Sequence, residues 1–274
     1  MSSPIHWRLI DGVYELELCA DPCNEIGTTM LTALERFVDS IEPEKAHALI
    51  IYSSKRKGFC AGADLRELYH ELVGRRDGAN GNRMKQLWGQ MGQLYDLRDF
   101  LDRIHAVFDK LDTLPITTIG AVHGVCFGGG FELALTCDLL VVEKTARFCF
   151  PELRLGIIPG FGGIPRLKRA VGTSLTQDLL LTGRSINAKK AVSVGLASQV
   201  VGVGEGLNTA RKVAAQAGRF DRTAAATAKA FIKQLPSDEL AQEKRHFLRL
   251  FQNPGVMNAL KKFVESDDIR PYLP

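Results

Sequence analysis

No run in these 274 residues approaches the roughly 20 consecutive apolar positions that a helix needs to cross a bilayer, and no basic segment leading into an apolar run opens the chain. Both absences favour a soluble, cytoplasmic protein. Charge of one sign is missing too: 31 Asp and Glu nearly balance 35 Lys and Arg, and the formal net charge of +4 gives no broad basic field for nucleic acid. The six cysteines, Cys19, Cys23, Cys60, Cys126, Cys137 and Cys149, contain no paired CxxC spacing and sit mostly in apolar segments. Buried reduced thiols are therefore expected, and neither disulfides nor a metal site. No GxGxxG follows a strand-like run and no glycine loop ends in GK[ST], which removes the common dinucleotide and P-loop sites.

What is present suffices for a full core: 45% of the residues are hydrophobic and 24% charged, at a length that one main domain with a small appendage can serve. IHWRLIDG and VYELELCA alternate apolar and polar residues around Asp11-Gly12, which predicts an opening hairpin. Met30, Leu31, Leu34, Phe37, Val38 and Ile41 then recur at helical spacing, and HALIIYSS reads as a strand covered on both faces. The alternation continues with a helix after AGAD, a strand ITTIGAV, a helix from Gly129, and strands LLVVE and ARFCF. Strands separated by helices imply crossover units and a largely parallel sheet. Beyond about residue 160 helical patterns dominate, at 175–181, 188–194, 210–231 and 240–251, with 197–201 as a short extended exception.

Residues 74–82, GRRDGANGN, are polar and glycine-rich and read as a mobile loop. Leu87, Met91, Leu94, Leu97, Leu101, Ile104, Phe108 and Leu111 follow in steps of four and three, one apolar stripe on a long helix. That helix packs on the core or a neighbouring subunit, or else forms a lid over a ligand with Trp88 or Tyr95.

Chemistry concentrates in two glycine-containing turns, GFCAGADL at 58–65 and GVCFGGGFELAL at 124–135, each opening a helix. Free N–H groups at a helix start, helped by the helix dipole, hold negative charge, and glycine lets a ligand approach the backbone. Two acids stand where charge is costly: Glu132 between Phe131 and Leu133, and Glu152 after ARFCF. Such carboxylates have shifted pKa values suited to proton transfer; equally, Glu132 is placed to cap a helix, and Glu152 to pair with Arg154 or Arg166. His123 reads as a hydrogen-bonded structural residue, and Cys60 and Cys126 as small core residues. Phe127, Phe161 and Trp88 are candidates to narrow a pocket, or plain core aromatics.

GFCAGADL, AVHGVCFGGGFELALTCD, FCFPELRLGIIPGFGG and LLLTGRSINAKKAVSVGLAS, in that order, resemble the enoyl-CoA hydratase/isomerase (crotonase) family over nearly the whole chain. The resemblance implies an α/β fold, a spiral of ββα repeats with a helical C-terminal region that makes trimers, usually paired into hexamers. It divides the chain into residues 1–200, a core with the coenzyme A site and a helical insertion near 74–112, and residues 201–274, the helical C-terminal region. The substrate implied is an acyl-CoA thioester, with coenzyme A as part of the substrate and no separate cofactor. By the resemblance, the amides of Ala63 and Gly129 form an oxyanion hole, Glu132 and Glu152 are the two acids of a hydratase, and the Gly160 amide lies near a bound water. Coenzyme A contacts fall on Ala61, Asp64 and Leu65 and on Phe263, while the run Lys55, Arg56 and Lys57 reads by its charge as a contact to the phosphates or as a plain solvated loop. Ser266 stands where the family has a lysine, which leaves Lys261 or Lys262 to substitute. The expected reaction is addition or removal of water at an α,β double bond. Competing readings are a Δ3-Δ2 enoyl-CoA isomerase, an acyl-CoA hydrolase, a non-catalytic RNA-binding member, or a scaffold that binds acyl-CoA without turning it over.

Overall fold

A computed structural model describes residues 3–70 and 83–266, with side chains for 3–70 and 96–266. The loop expected at 74–82 lies outside the described residues, and so do the side chains of Leu87, Met91 and Leu94 in the first part of the apolar stripe and those of Trp88 and Tyr95. Strands β1 (Ile5–Ile10) and β2 (Val13–Leu18) form the expected antiparallel hairpin, with Asp11 and Gly12 at φ 50° and 74° in its turn. Helix α1 (Thr28–Ser40) buries Met30, Leu31, Leu34, Phe37 and Val38, the face that the spacing predicts.

Three successive units then repeat one plan. β3 (Ala48–Ser53), β5 (Thr117–Val122) and β7 (Leu139–Glu143) run parallel in one sheet. Each is followed by a three-residue strand of a second sheet: β4 (Gly58–Cys60), β6 (Val125–Phe127) and β8 (Arg147–Cys149), also parallel. The first sheet has the order β1-β2-β3-β5-β7-β10, where β10 is Gln199–Val201, and the second β4-β6-β8-β9, where β9 is Ile186–Asn187. This is the ββα spiral that the resemblance implies. The second sheet was expected only in part: β8 lies within ARFCF, read as a strand, whereas GFC and VCF read as parts of turns, because three residues are too few for a period to register.

Helix α2 (described over 65–70) follows β4, α3 (Arg83–Thr113) leads into β5, and α4 (Gly129–Ala134) follows β6. Glu152 begins a 3-10 turn (Glu152–Leu155) directly after β8, and α5 (Gly163–Thr182) follows. The short α6 (Ala188–Ser193) comes next, and the alanine-rich stretch divides into α7 (Gly206–Ala217) and α8 (Arg222–Ile232). Ala210 and Ala214 of α7 pack on Ile50, Ile119 and Val141 of the first sheet, whereas α8 buries no residue. Helices α9 (Ser237–Leu250) and α10 (Pro254–Glu265) close the chain against α3, α5 and the 3-10 turn.

The main core lies between the two sheets and α1, α3, α4 and α5. Described from residue 96 onward, α3 buries Leu97, Leu101, Ile104, Phe108 and Leu111, as its stripe predicts. All six cysteines are free thiols, and five are buried. Among the described residues no helix is long and apolar enough to cross a membrane, and no cluster of His, Cys, Asp or Glu is arranged to hold a metal.

Candidate active site

The two glycine turns meet at the mouths of β4 and β6. Gly62 takes φ 108°, a left-handed conformation that side chains disfavour, and a Cβ on it would lie 3.0 Å from the Phe127 carbonyl and 3.3 Å from the Gly129 nitrogen. The turns are thus packed backbone to backbone, with the Ala63 nitrogen 3.3 Å from where a Gly129 Cβ would stand. Among the described residues neither the Ala63 nor the Gly129 amide donates to any acceptor, and both residues line one cavity. Unpaired amides at a helix start, in two turns that line one cavity, suit a developing oxyanion.

The acids reach that cavity from different elements. Glu132, in the first turn of α4, is buried, and its Oε1 accepts N–H bonds from Phe161 and Gly163, each at 2.8 Å. It therefore caps a helix N-terminus, but that of α5 rather than its own. Burial pushes Glu132 up to about 7, against the pull of those two amides and of Arg166. Glu152 pairs with neither candidate base: Arg154 donates to the Gly183 carbonyl, and Arg166 is held by Asp109 and Asp112. Half-buried as a residue, Glu152 still has an Oε2 shut off from solvent and without a hydrogen-bond partner among the described residues. Burial first, and then the nearby Glu132 carboxylate, raise it well above its ordinary value. Gly128, at φ 47°, makes room for it, since a Cβ there would fall 2.6 Å from Glu152 Oε1.

Besides Ala63, Gly129, Glu132 and Glu152, the cavity is lined by Ala61, Asp64, Leu65 and Gly160, and its volume is about 90 Å³. Asp64 also caps α2 through its Oδ1, which accepts from the amides of Arg66 and Glu67. Phe161 supplies an apolar wall: its ring lies 2.7 Å from where a Gly129 Cβ would stand, 5.9 Å from the Phe100 ring and 6.0 Å from the Phe108 ring. The remaining candidates lie outside the cavity lining. Lys55 pairs with Asp21 at 3.0 Å, Arg56 and Lys57 are exposed, and Phe263 packs on the core beneath the Arg66 guanidinium, 6.0 Å from its ring centre. His123 donates its Nε2 hydrogen to the Lys55 carbonyl at 2.9 Å. Cys60 donates to the Asn24 carbonyl, and burial pushes it and Cys126 up, as befits thiols of the core.

The family model described as enoyl-CoA hydratase/isomerase matches residues 93–270. The chain belongs to the enoyl-CoA hydratase/isomerase family. It is 31% identical over 256 residues to the short-chain-enoyl-CoA hydratase of Clostridium acetobutylicum, covering 91% of this chain and 89% of that one. Human mitochondrial methylglutaconyl-CoA hydratase is 36% identical over 179 residues, 65% of this chain and 47% of that protein. Among solved structures, enoyl-CoA hydratase from Bacillus halodurans superposes with a TM-score of 0.80 at 22% identity, over 94% of this chain and 99% of that one, a likeness of fold.

In this member of the enoyl-CoA hydratase/isomerase family, two buried polar residues that hold the turn at 160–164 were not singled out in the sequence. Glu243 of α9 is buried and accepts the amides of Gly162 and Ile164, each at 2.7 Å; His105 of α3 is buried and donates from Nε2 to the Gly160 carbonyl at 2.8 Å. The signal was present. Glu243 falls on the stripe Leu240, Glu243, Phe247 that α9 buries, and His105 stands beside Ile104 in the stripe of α3. A charged group at a core position calls for a partner.

Proposed function

We propose that the chain is an enoyl-CoA hydratase, adding water across the α,β double bond of an acyl-CoA or removing it. The observation that carries this reading is the asymmetric pair of acids in one cavity: Glu132 with two amide donors on one oxygen, Glu152 with a buried oxygen that nothing satisfies. An unpartnered buried carboxylate oxygen is costly, so the shared proton rests on Glu152 and the charge on Glu132. In the hydration direction, the Glu132 carboxylate takes a proton from water as the water oxygen bonds to Cβ. The π electrons move to the thioester oxygen, where the Ala63 and Gly129 amides hold the enolate, each worth about 3 kcal/mol. Collapse of the enolate forms the bond from Cα to the proton that Glu152 gives up, and exchange with solvent restores both acids.

Coenzyme A enters as part of the substrate, and the two glutamates cover both proton transfers. We assign its nucleotide end to the cations Lys55, Arg56 and Lys57 and to Phe263, and the thioester end to the turn of Ala61, Asp64 and Leu65, with Gly160 beside the water. A homotrimer, or a hexamer of two trimers, is the assembly we infer. Its support is α8, where Phe231 and Ile232 stand 81% and 78% exposed. Sedimentation at micromolar protein tests this, and a monomer there refutes it.

The chemical test is product analysis of wild type, Glu132→Gln and Glu152→Gln with 2-enoyl, 3-enoyl and 3-hydroxyacyl thioesters. Wild type should interconvert the first and third, and each variant should lose about 100-fold to 10,000-fold in kcat. Turnover of the 3-enoyl thioester alone identifies an isomerase, release of free coenzyme A a hydrolase. Hydration at the wild-type rate by either variant rules out the assignment of the acids.

A further inference from the structure

Four successive amides open α5, and two carboxylates take them in alternation. Phe161 and Gly163 donate to Glu132 Oε1, each at 2.8 Å; Gly162 and Ile164 donate to the two oxygens of Glu243, each at 2.7 Å. A helix leaves its first four N–H groups without partners of its own, and acids are favoured at that end. Here one acid comes from α4 and faces the cavity, while the other comes from α9, some 80 residues further along the chain than the turn it grips, and lies outside the cavity lining. The carbonyl just before these amides, that of Gly160, is fixed by His105.

We propose that Glu243 is a positioning residue for the hydration reaction, holding the 161–164 turn so that Glu132 is anchored through Oε1 and presents Oε2 to water and substrate. This inference rests on the hydratase reading above. The geometry favours it because the turn is shared: the Gly162 and Ile164 amides alternate with the two that anchor Glu132, so releasing them from Glu243 frees donors beside that carboxylate and loosens its single orientation. Glu243 stands among other ionisable side chains. The titratable groups around it are Glu132 from α4, Glu152 from the 3-10 turn, Arg166 from α5 and, against Arg166, Asp109 and Asp112 from α3. Glu243 is itself pushed up by burial and then by Glu132. Glu243→Gln keeps the volume but frees an amide, and an amide taken up by Glu132 lowers the affinity of Glu132 for its proton, as its two present amide donors do.

The test is a kinetic cycle on the full-length protein with a four-carbon 2-enoyl-CoA, comparing wild type, Glu243→Gln, Glu132→Gln and the double variant. Glu243→Gln should lower kcat by about 10-fold to 100-fold with KM nearly unchanged, the size expected when a reacting group is displaced by less than about 1 Å. Its acidic limb in kcat against pH should move to lower pH. In the Glu132→Gln background the same change should cost nothing further, because Glu243 acts through Glu132. Equal losses in both backgrounds, or an unmoved pH limb, would mean a purely structural role and overturn the proposal. If Glu243→Gln does not fold, Ile164→Pro removes one of the two amides Glu243 holds while leaving every carboxylate in place, and the same fall in kcat at nearly unchanged KM is expected, without the pH shift; wild-type kinetics there overturn the proposal. Wild-type protein that hydrates no enoyl-CoA defeats the hydratase reading itself, a result separate from an active wild type with an indifferent Glu243→Gln.

Discussion

Glu132 and Glu152 differ in what surrounds their oxygens, and that difference sets the pH behaviour expected of the chain. Turnover in the hydration direction needs Glu132 ionised and Glu152 protonated. Since Glu132 is pushed up to about 7, kcat should fall as pH drops through neutrality, and fall again in alkali as Glu152 loses its proton, a bell whose two limbs belong to the pair. Stability carries the matching sign. Glu152 keeps its proton in the folded chain above the ordinary 4.5, so the unfolded chain binds fewer protons and the stability Glu152 contributes, complete below about 4.5, is lost as pH rises towards its folded value. The slope is about 1.4 kcal/mol per pH unit over that window. Glu152→Gln has no such loss, so its unfolding free energy relative to wild type should grow from pH 5 to pH 7, roughly the range of that window. A difference independent of pH in urea denaturation would contradict this.

Helix starts are where elements of this fold are joined. α1 begins at Gly27 and α5 at Gly162, N-caps without a side chain, and each receives an acid from elsewhere: Glu67 accepts the Thr28 amide at 2.9 Å, and Glu132 and Glu243 serve α5. α4 begins at Gly128, which has neither cap nor room. Gly128→Ala must force a side chain into φ 47° and within 2.6 Å of Glu152 Oε1. We expect a loss of about 1–3 kcal/mol in stability from the backbone, and a loss of about 100-fold in kcat from displacement of the acid. Thermal melting and steady-state rates measured on the same sample separate the two, and unchanged kcat would show that Glu152 tolerates the shift.

Behind the cavity, the molecule is held together by charges it has taken out of water. Arg166 is fully buried, with Nε 3.0 Å from Asp112, Nη2 2.5 Å from Asp109 and Nη1 donating to the Phe161 carbonyl at 3.0 Å. Burial pushes Asp112 up, but Lys233, Arg169 and Arg166 together hold it below its usual range. This network ties α3 to α5 and to Lys233, just beyond α8, and its Phe161 contact reaches the turn on which Glu132 and Glu243 depend. Arg166→Met should cost roughly 3–5 kcal/mol in denaturant unfolding, because it strands buried carboxylates rather than removing a balanced pair. A cost below about 1 kcal/mol, the range of surface ion pairs, would show the network is not essential to the core.

Much of the layout was legible along the chain. Alternation at Asp11-Gly12, the α1 and α3 stripes and the apolar runs of β3, β5 and β7 are local patterns, each with enough residues for its period to register, and the glycine turns and the acids Glu132 and Glu152 stood out by type and setting. Of the second sheet, β8 was legible within ARFCF, whereas β4 and β6 carry no period and emerge only when the first sheet lines their segments up. Whether Glu132 capped a helix or faced a ligand was equally closed to a linear reading, because its amide partners sit 29 and 31 residues away and those of Glu243 sit 81 and 79 residues away. Chemical identity and local period are properties of the sequence by itself. Which acid meets which amide, and so which oxygen faces the cavity, was decided only by the packing of α4, α5 and α9, since a hydrogen bond depends on distance in space and not on separation along the backbone.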